Sequence, residues 1–457
     1  MRDDRYPRIQ GIVGFTVLAM LLLSVLVLGG NRPVAWSLLS IGVFVAFAFQ
    51  VVLSAARPVP LAVRQLYVPG VLFLAVMVWG WVQTMGGASE AVSHPLWKYV
   101  PDEPPSISAD PGQGRHAVMR LLSYGMIFVI MVWTCTSEAR AKGVLISIAL
   151  FSTTLASYGL YAFSTGENIV LGDIAGSGSV QATFVNRNSY ATYAIFGVFA
   201  NLAAYLQVAS RQRDGIRGRL EDFFAGAWVF ALGAIICIGA VSLTQSRAGS
   251  GAGIVGLAVF VVAWRGKRRK WDPVMLLLMA AVLIFIAMTS ATGLTERLLM
   301  TNAEEGRFAI YPAILQAIAD RPVLGHGLGS FHEAFRLYVP QEVASLEWVR
   351  AHSTYLELVF GLGLPATLAL LLAIGLIVWR IRQGTVRRKN NRAFSCFALA
   401  SIAAAAFHSV FDFSLQMPAS AALFAALLGL GFAQSFTNDA IAAARPKRRH
   451  RGFAVRS

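Results

Sequence analysis

Residues 11–30 read GIVGFTVLAMLLLSVLVLGG, a stretch without a single charged side chain. About 20 consecutive apolar residues are enough for a helix to cross the hydrocarbon core of a bilayer. Basic residues precede the stretch, as they do in a signal peptide, but the run is long and other runs follow it. We therefore predict an uncleaved signal-anchor helix at the start of an integral membrane protein.

Similar apolar stretches recur along the whole chain. Of its 457 residues, 56% are hydrophobic and only 14% are charged, which is too little polar surface for a soluble protein of this size. Because backbone groups in lipid must be satisfied within their own segment, each stretch is expected to be a helix. This predicts an all-α polytopic membrane protein with about twelve transmembrane helices. They lie near 11–30, 34–54, 66–83, 117–136, 143–163, 187–208, 224–243, 248–264, 273–290, 362–379, 393–413 and 418–436.

The net charge of +16 could indicate binding to nucleic acid, so the position of the basic residues matters. Most of them lie in the connections that fall on one side of the predicted membrane, with dense clusters in 211–219, 265–270, 380–392 and 445–456. Basic connections face the cytoplasm in membrane proteins. This distribution predicts an even number of helices and cytoplasmic termini, and it explains the basicity without nucleic acid.

The predicted spans divide the chain into four parts. Residues 1–290 contain helices one to nine, 291–361 form a large external loop, 362–436 contain helices ten to twelve, and 437–457 form a basic cytoplasmic tail. A second external connection, near 84–116, is rich in Pro, Gly, Ser and Asp. The loop 291–361 is the largest non-membrane part and is expected to contain amphipathic helices.

The large loop has several local signals. Phe308, Tyr311, Leu315 and Ile318 recur at helical spacing and predict an amphipathic helix over roughly 304–319. The Asp-Arg-Pro sequence that follows should end this helix.

A glycine-spaced turn comes next, Gly325-His326-Gly327-Leu328-Gly329-Ser330-Phe331. Further on, Thr354 and Glu357 fit a capping box, so a helix should begin there and continue into the tenth span. Gly361, Gly363 and Pro365 should interrupt it briefly.

Three residues at predicted external positions are candidates for chemistry. Arg187 lies at the mouth of the sixth span, Arg247 lies in a short connection between spans seven and eight, and His352 precedes a helix start. Each has an ordinary alternative, namely a snorkelling arginine, a tight polar turn and an incidental loop histidine. Together they suit one reaction, because arginine binds phosphate oxygens and a histidine near neutral pKa can take a proton from a hydroxyl.

Other polar residues carry weaker signals. His408 and Asp412 are one helical turn apart in the eleventh span, where a hydrogen-bonded structural pair is favoured over a proton relay. Arg120 lies inside a span and is expected to contact a neighbouring helix's carbonyl groups or a lipid headgroup. The three cysteines have neither zinc-site nor disulfide spacing, and we predict no metal site and no cofactor.

Four stretches in order carry a family resemblance. They are Phe184-Val185-Asn186-Arg187-Asn188, Ser246-Arg247-Ala248-Gly249, the segment from Asp320 to Phe331, and Ala351-His352-Ser353-Thr354-Tyr355-Leu356-Glu357. With these motifs the chain resembles the O-antigen ligase and polymerase superfamily of bacterial envelope enzymes. The similarity covers roughly 180–380, and Ser353 departs from the Asn that many relatives have there.

The resemblance implies a membrane glycosyltransferase of the GT-C type in the bacterial inner membrane, with its active site facing the periplasm. Arg187 and Arg247 would bind the diphosphate of an undecaprenyl-diphosphate-linked glycan donor, and His352 would activate the acceptor hydroxyl. Further substrate contacts are expected from residues of these segments and of the amphipathic helix, namely Asn186, Asn188, Arg307, Arg321, His326 and Tyr355.

The acceptor distinguishes two activities. A ligase transfers the finished glycan to lipid A-core, and this assignment is favoured. A polymerase for O-antigen or exopolysaccharide transfers it to a second lipid-linked glycan. A transporter or lipid flippase is a different class, and it usually places its substrate site at the bilayer midplane. The candidate residues here lie at one outer face, which favours the enzyme; the oligomeric state stays open.

Overall fold

The computed structural model describes residues 5–55, 57–100, 102–167, 178–209, 226–265, 279–280, 283, 302–388 and 391–436. Helices dominate these residues, and no β-strand occurs in them. The longer helices are α1 Arg5–Ser24, α2 Pro33–Ser54, α3 Tyr67–Val82, α4 Pro111–Thr134, α5 Glu138–Thr165, α6 Arg187–Ala209, α7 Trp228–Leu243, α8 Arg247–Arg265, α9 Asn302–Asp320, α10 Thr354–Leu362, α11 Leu364–Arg387, α12 Arg392–Phe411 and α13 Pro418–Ala433.

The prediction of a polytopic helical membrane protein is confirmed. Within the described residues, eight helices are long and apolar enough to cross a membrane, namely α1, α2, α4, α5, α6, α8, α11 and α12. The apolar helices α3, α7 and α13 are shorter and coincide with three more predicted spans. The ninth span, predicted near 273–290, falls almost wholly outside the described residues, as do the basic segments 210–225, 266–278 and 437–457.

Helix ends that were predicted to share a side of the membrane meet in the structure. On the predicted external side, the Thr183 hydroxyl before α6 donates to the Val25 carbonyl after α1 (2.8 Å). On the opposite side, the Gln434 amide after α13 donates to the Cys135 carbonyl after α4 (2.6 Å). Also on that side, Arg392 at the start of α12 donates to Ala263 near the end of α8 (2.9 Å). These three contacts therefore join helix ends that the charge pattern assigns to the same side.

Glycines allow the membrane helices to approach closely. A Cβ on Gly256 of α8 would lie 2.8 Å from the Ala400 carbonyl oxygen of α12, and one on Gly429 of α13 would lie 2.6 Å from the Phe128 carbonyl oxygen of α4. Because lipid is as apolar as the helix surface, association in a membrane depends on such close packing. These contacts hold α8 against α12 and α13 against α4.

The two long external connections form one cap over the predicted external face. Its small core contains Ile310, Ile314 and Ala317 of α9, packed with Phe331 and Phe335 from the following segment. Helix α9 confirms the predicted amphipathic helix and ends at Asp320. The prediction that Leu315 faces the core is wrong, because its side chain is 56% exposed. The buried positions 310, 314 and 317 each precede a predicted position by one residue.

The glycine-spaced turn lies between the 84–110 connection and α10, and it is hydrogen-bonded to both. Gly325, Gly327 and Gly329 all have positive φ, and a Cβ at Gly325 would lie 2.4 Å from the Gly361 carbonyl oxygen. Only glycine meets both requirements at this position. Gln83 was not predicted and is fully buried: its side-chain amide donates to the carbonyls of Leu324 (2.7 Å) and Gly361 (2.9 Å).

Helix α10 begins where the sequence predicts, but with a different cap. Ser353 is the N-cap residue, and its hydroxyl accepts from the Leu356 N–H. Glu357 instead accepts from the Ala351 N–H (2.9 Å) and from Arg350 (3.1 Å), one residue out of register with the predicted capping box. The predicted interruption after α10 is confirmed at Gly363, which has a φ of 79°.

Candidate active site

Arg187 occupies the first position of α6. The Asn186 side-chain oxygen accepts from the N–H groups of Asn188 (2.7 Å) and Ser189 (3.2 Å), so Asn186 caps the helix. The Arg187 side chain is exposed at this helix end. A helix N-terminus carries a partial positive charge, so Arg187 adds a full cation where the backbone already favours an anion.

Arg247 has the same position in α8. Ser246 caps this helix by accepting from the Gly249 N–H (3.0 Å), and the Arg247 side chain is exposed. A Cβ on Gly249 would lie 2.8 Å from the Ala191 Cβ in α6. Gly249 is two residues into α8 and Ala191 is four residues into α6, so the first turns of the two helices touch. The structure therefore brings the two candidate arginines to neighbouring helix starts.

His352 lies just before α10 in a backbone conformation that few side chains adopt. Its φ is +52°, in the left-handed region. Such a conformation costs about 1–3 kcal/mol in a residue other than glycine and persists only where the surroundings enforce it. Here the Tyr311 hydroxyl donates to the His352 carbonyl (3.2 Å), and the ring packs edge-on against Trp348 and Phe413.

The end of α12 connects the Arg187 segment to the His352 segment. Asn188 directly follows Arg187, and its side-chain amide donates to the buried Asp412 carboxylate (2.6 Å). The Thr354 hydroxyl donates to the Asp412 carbonyl (3.0 Å), and Phe413 contacts the His352 ring. Asp412 is thus the bridge between the two predicted motifs.

His408 and Asp412 do not form the structural pair that the sequence suggested. His408 is hydrogen-bonded through its Nδ1 to the Thr192 hydroxyl, and Asp412 is bonded to Asn188. Both partners belong to α6, so the two residues attach α12 to α6 separately.

Arg321 is held by backbone carbonyls of the cap. Its guanidinium donates to the carbonyls of Val92 (2.8 Å), Ser93 (2.9 Å) and Gly325 (2.9 Å). Burial lowers the pKa of Arg321 from its usual value. This geometry favours a structural role, in which Arg321 ties the 92–93 loop to the glycine-spaced turn.

His326 is fully buried and takes part in a chain of hydrogen bonds. The Leu96 N–H donates to His94 Nδ1, His94 Nε2 faces His326 Nδ1 at 2.8 Å, and His326 Nε2 lies 2.8 Å from the Ala317 carbonyl. The chain is satisfied when both rings are neutral with their protons on Nε2. Burial is the main reason why the pKa of His94 falls to about 3 and that of His326 to about 4.

The remaining predicted substrate contacts are dispersed. The Tyr355 hydroxyl donates to the Ala406 carbonyl of α12 (3.1 Å). Arg307 is helical, and its side chain lies outside the described part of the structure. Asn186 and Asn188 have the capping and bridging contacts given above, and their binding to a substrate stays a prediction.

A cavity of about 540 Å³, which the sequence did not indicate, lies between α3, α4, α11 and α13. Its wall is mainly apolar, and a polar group stands at the end nearest the cap, consisting of Arg120, Arg350, Thr354, Glu357 and Gln416. Arg120, a charge within an apolar span, is the sequence feature that points to a polar group here, but no cavity was inferred from it. The neighbouring helices could not be known from spacing alone.

Two comparisons with known proteins bear on this arrangement. The model of the O-antigen ligase family matches residues 232–371, from α7 into α11. The matched segment contains Arg247, the described part of the cap from α9 onward and His352. Arg187 lies before it. No curated protein matches the chain.

Proposed function

Because the chain belongs to the O-antigen ligase and polymerase superfamily, we propose that it transfers a glycan from a polyprenyl diphosphate, undecaprenyl diphosphate in bacteria, to an acceptor hydroxyl. The observation that carries this proposal is the meeting of the first turns of α6 and α8, which places Arg187 and Arg247 at adjacent helix N-termini. We also propose that this face is periplasmic, in the inner membrane, with both termini cytoplasmic. Basic connections on the opposite side support that orientation.

The proposed reaction is a displacement at the donor sugar. The acceptor oxygen forms a bond to the sugar's anomeric carbon, and the bond from that carbon to the diphosphate breaks. Its electron pair leaves with the diphosphate, whose added negative charge is stabilised by Arg187 and Arg247. His352 takes the proton of the acceptor hydroxyl. These residues supply the required acid–base and electrostatic functions without a metal.

The left-handed backbone at His352 supports its proposed role as the base. The conformation is enforced from two sides, by Glu357 bonded to the Ala351 N–H and by Ser353 capping α10. A rigidly positioned base lowers the barrier, because the reacting groups need not be oriented during the step.

The favoured acceptor from the sequence is lipid A-core, which makes the protein a ligase. A polymerase acting on a second lipid-linked glycan is the other candidate, and the cavity beside Arg120 favours it because that cavity has room for a lipid chain. Transport is disfavoured, because among the described residues the cavity wall toward Phe47, Leu66 and Ile377 is apolar.

The test is a transfer assay with purified protein in lipid nanodiscs, an undecaprenyl-diphosphate-linked donor, and each acceptor in turn. We expect wild-type protein to form a glycan–acceptor product and His352→Ala to lose at least about 100-fold in kcat, as expected for loss of a general base. The matched control is His116→Ala, at an exposed histidine on the same face. Full activity of His352→Ala would rule out this mechanism.

A further inference from the structure

The cavity between α3, α4, α11 and α13 has the shape and chemistry of a site for one lipid chain. Its volume is about 540 Å³, and side chains such as Phe73, Leu122, Ile374 and Phe424 form its wall. Leu74 also lines it and is 56% exposed at the lateral surface of the bundle. A molecule in the bilayer could therefore enter from the side.

The end of the cavity beneath the cap carries an excess of positive charge. Arg120 and Arg350 line it together with one carboxylate, that of Glu357. Arg350 pairs with Glu357 at 3.1 Å. The Arg120 guanidinium lies over the Trp36 ring, 5.4 Å from its centre. The favourable electrostatic effect of Glu357 on Arg120 is opposed by that of Arg350, with which Glu357 is already paired. A cation inside an apolar helix is costly, so an anion is the expected partner.

This cavity is separate from the arginines at the starts of α6 and α8. The connection from α12 to α13 lies between them. On one side, Asp412 binds Asn188 and Phe413 contacts His352, whereas Leu415 and Gln416 face the cavity. The segment at the start of α10 also contacts both sites. Arg350 and Thr354 line the cavity, whereas His352 packs on Phe413. His352 is therefore positioned between two cationic sites.

We propose that the cavity binds the acceptor, and that the acceptor is a lipid with a single long apolar chain and a phosphate-containing headgroup. The inference rests on the proposed transfer reaction and names its second substrate. The apolar wall would hold the chain, Arg120 would bind the phosphate, and the glycan would reach His352 from the side opposite the donor. The lateral opening and the single cationic end suit a lipid whose chain stays partly in the bilayer while its phosphate meets Arg120.

A kinetic experiment distinguishes this acceptor from the donor. KM is measured for each substrate with Arg120→Gln and with the cavity-filling variant Ile374→Trp. The controls are Arg115→Gln, an exposed arginine of the same helix, and Leu372→Trp, which is exposed on the same helix as Ile374. We expect the KM for a polyprenyl-diphosphate-linked acceptor to rise at least about 10-fold in both test variants, as for loss of a charged contact or of the chain's space. In both test variants the KM for the donor should stay at the wild-type value. In both control variants the KM values for donor and acceptor should stay at wild-type values.

Two results would overturn the proposal. A rise in the KM for the donor alone would assign the cavity to the donor's chain. Unchanged values for both substrates would show that the cavity binds neither.

A binding measurement keeps the proposal testable if no transfer is observed. Undecaprenyl phosphate is added to the purified double variant Arg187→Ala/Arg247→Ala, and bound lipid is counted by native mass spectrometry. We expect one lipid to remain bound and its affinity to fall at least about 10-fold when Arg120→Gln is added. Retention of full affinity after that substitution contradicts the proposal. Failure of transfer with binding intact would refute the proposed reaction and not the lipid site.

Discussion

Two pairs of basic residues at the same face of this protein have opposite environments. Arg187 and Arg247 are exposed at the first positions of two adjacent helices. Arg321 and His326 lie within the cap, where carbonyl groups and a second histidine satisfy their polar atoms. All four were predicted to meet substrate from their motifs. The comparison shows that a sequence motif alone does not distinguish a binding residue from a structural one. The exposure of the side chain and its hydrogen-bond partners make that distinction.

The largest effect is expected for the exposed pair. Arg247→Ala should lower kcat for glycan transfer at least about 100-fold, because it removes a positioned cation from the departing diphosphate. The thermal midpoint should change little, since the side chain is exposed. Transfer kinetics and thermal unfolding of the same preparation check this, with Arg32→Ala, an exposed arginine at the start of α2, as the control.

Arg321→Ala should lower the stability of the protein and leave donor binding unchanged, which is the opposite of the result expected for Arg247→Ala. It leaves three backbone carbonyls of the cap without their donor, at a cost of about 2 kcal/mol or more in unfolding free energy. The 84–110 loop should become more sensitive to protease. Thermal unfolding and limited proteolysis measure the change. Wild-type stability combined with lost donor binding would show that Arg321 belongs with the exposed pair.

A smaller effect is expected from the bridge between the motifs. Asp412→Ala and Asn188→Ala each remove the 2.6 Å hydrogen bond that joins α12 to the start of α6. The double variant should lose less kcat than the product of the single losses, with a coupling energy of about 1–2 kcal/mol. A double-mutant cycle on kcat provides the number, and strictly multiplicative losses would show that Asp412 does not position Arg187.

The smallest expected effect is on the pH dependence of cap stability. The pKa values of His94 and His326 lie at about 3 and about 4, below the value of about 6.5 expected in an unfolded chain. The unfolded chain therefore binds protons first. The contribution of the histidine pair is fully present above about pH 6.5 and declines as the pH falls toward 4. His94→Gln should flatten the fall in thermal midpoint between pH 7 and 4.5, whereas His116→Gln should not.

The sequence predicted the membrane helices and their alternation well, because both follow from local composition. The hydrophobic stretch of α2 and the basic clusters are sufficient for that inference. The N-cap at Ser353 and the buried face of α9 were missed by one residue, since both depend on tertiary contacts such as Glu357 with the Ala351 N–H.

Residues that join distant segments were outside the reach of sequence reasoning. Gln83 lies at the end of α3 and donates to carbonyls more than 240 positions away, and nothing in its neighbourhood predicts such a contact. Asp412 and Asn188 were both named, but not as partners, because helical spacing suggested His408 as the partner of Asp412. The grouping of α3, α4, α11 and α13 around a cavity likewise depends on packing between segments far apart in the chain.

The exposed arginines Arg187 and Arg247, and not Arg321 in the cap, are proposed to hold the donor's diphosphate. The direct measurement is the affinity of purified protein for undecaprenyl diphosphate in Arg187→Ala, Arg247→Ala and Arg321→Ala at one ionic strength. We predict at least about 10-fold weaker binding in the first two variants and wild-type affinity in the third, as expected when charged contacts to the ligand are removed. Equal weakening in all three, or none in the first two, would contradict the account.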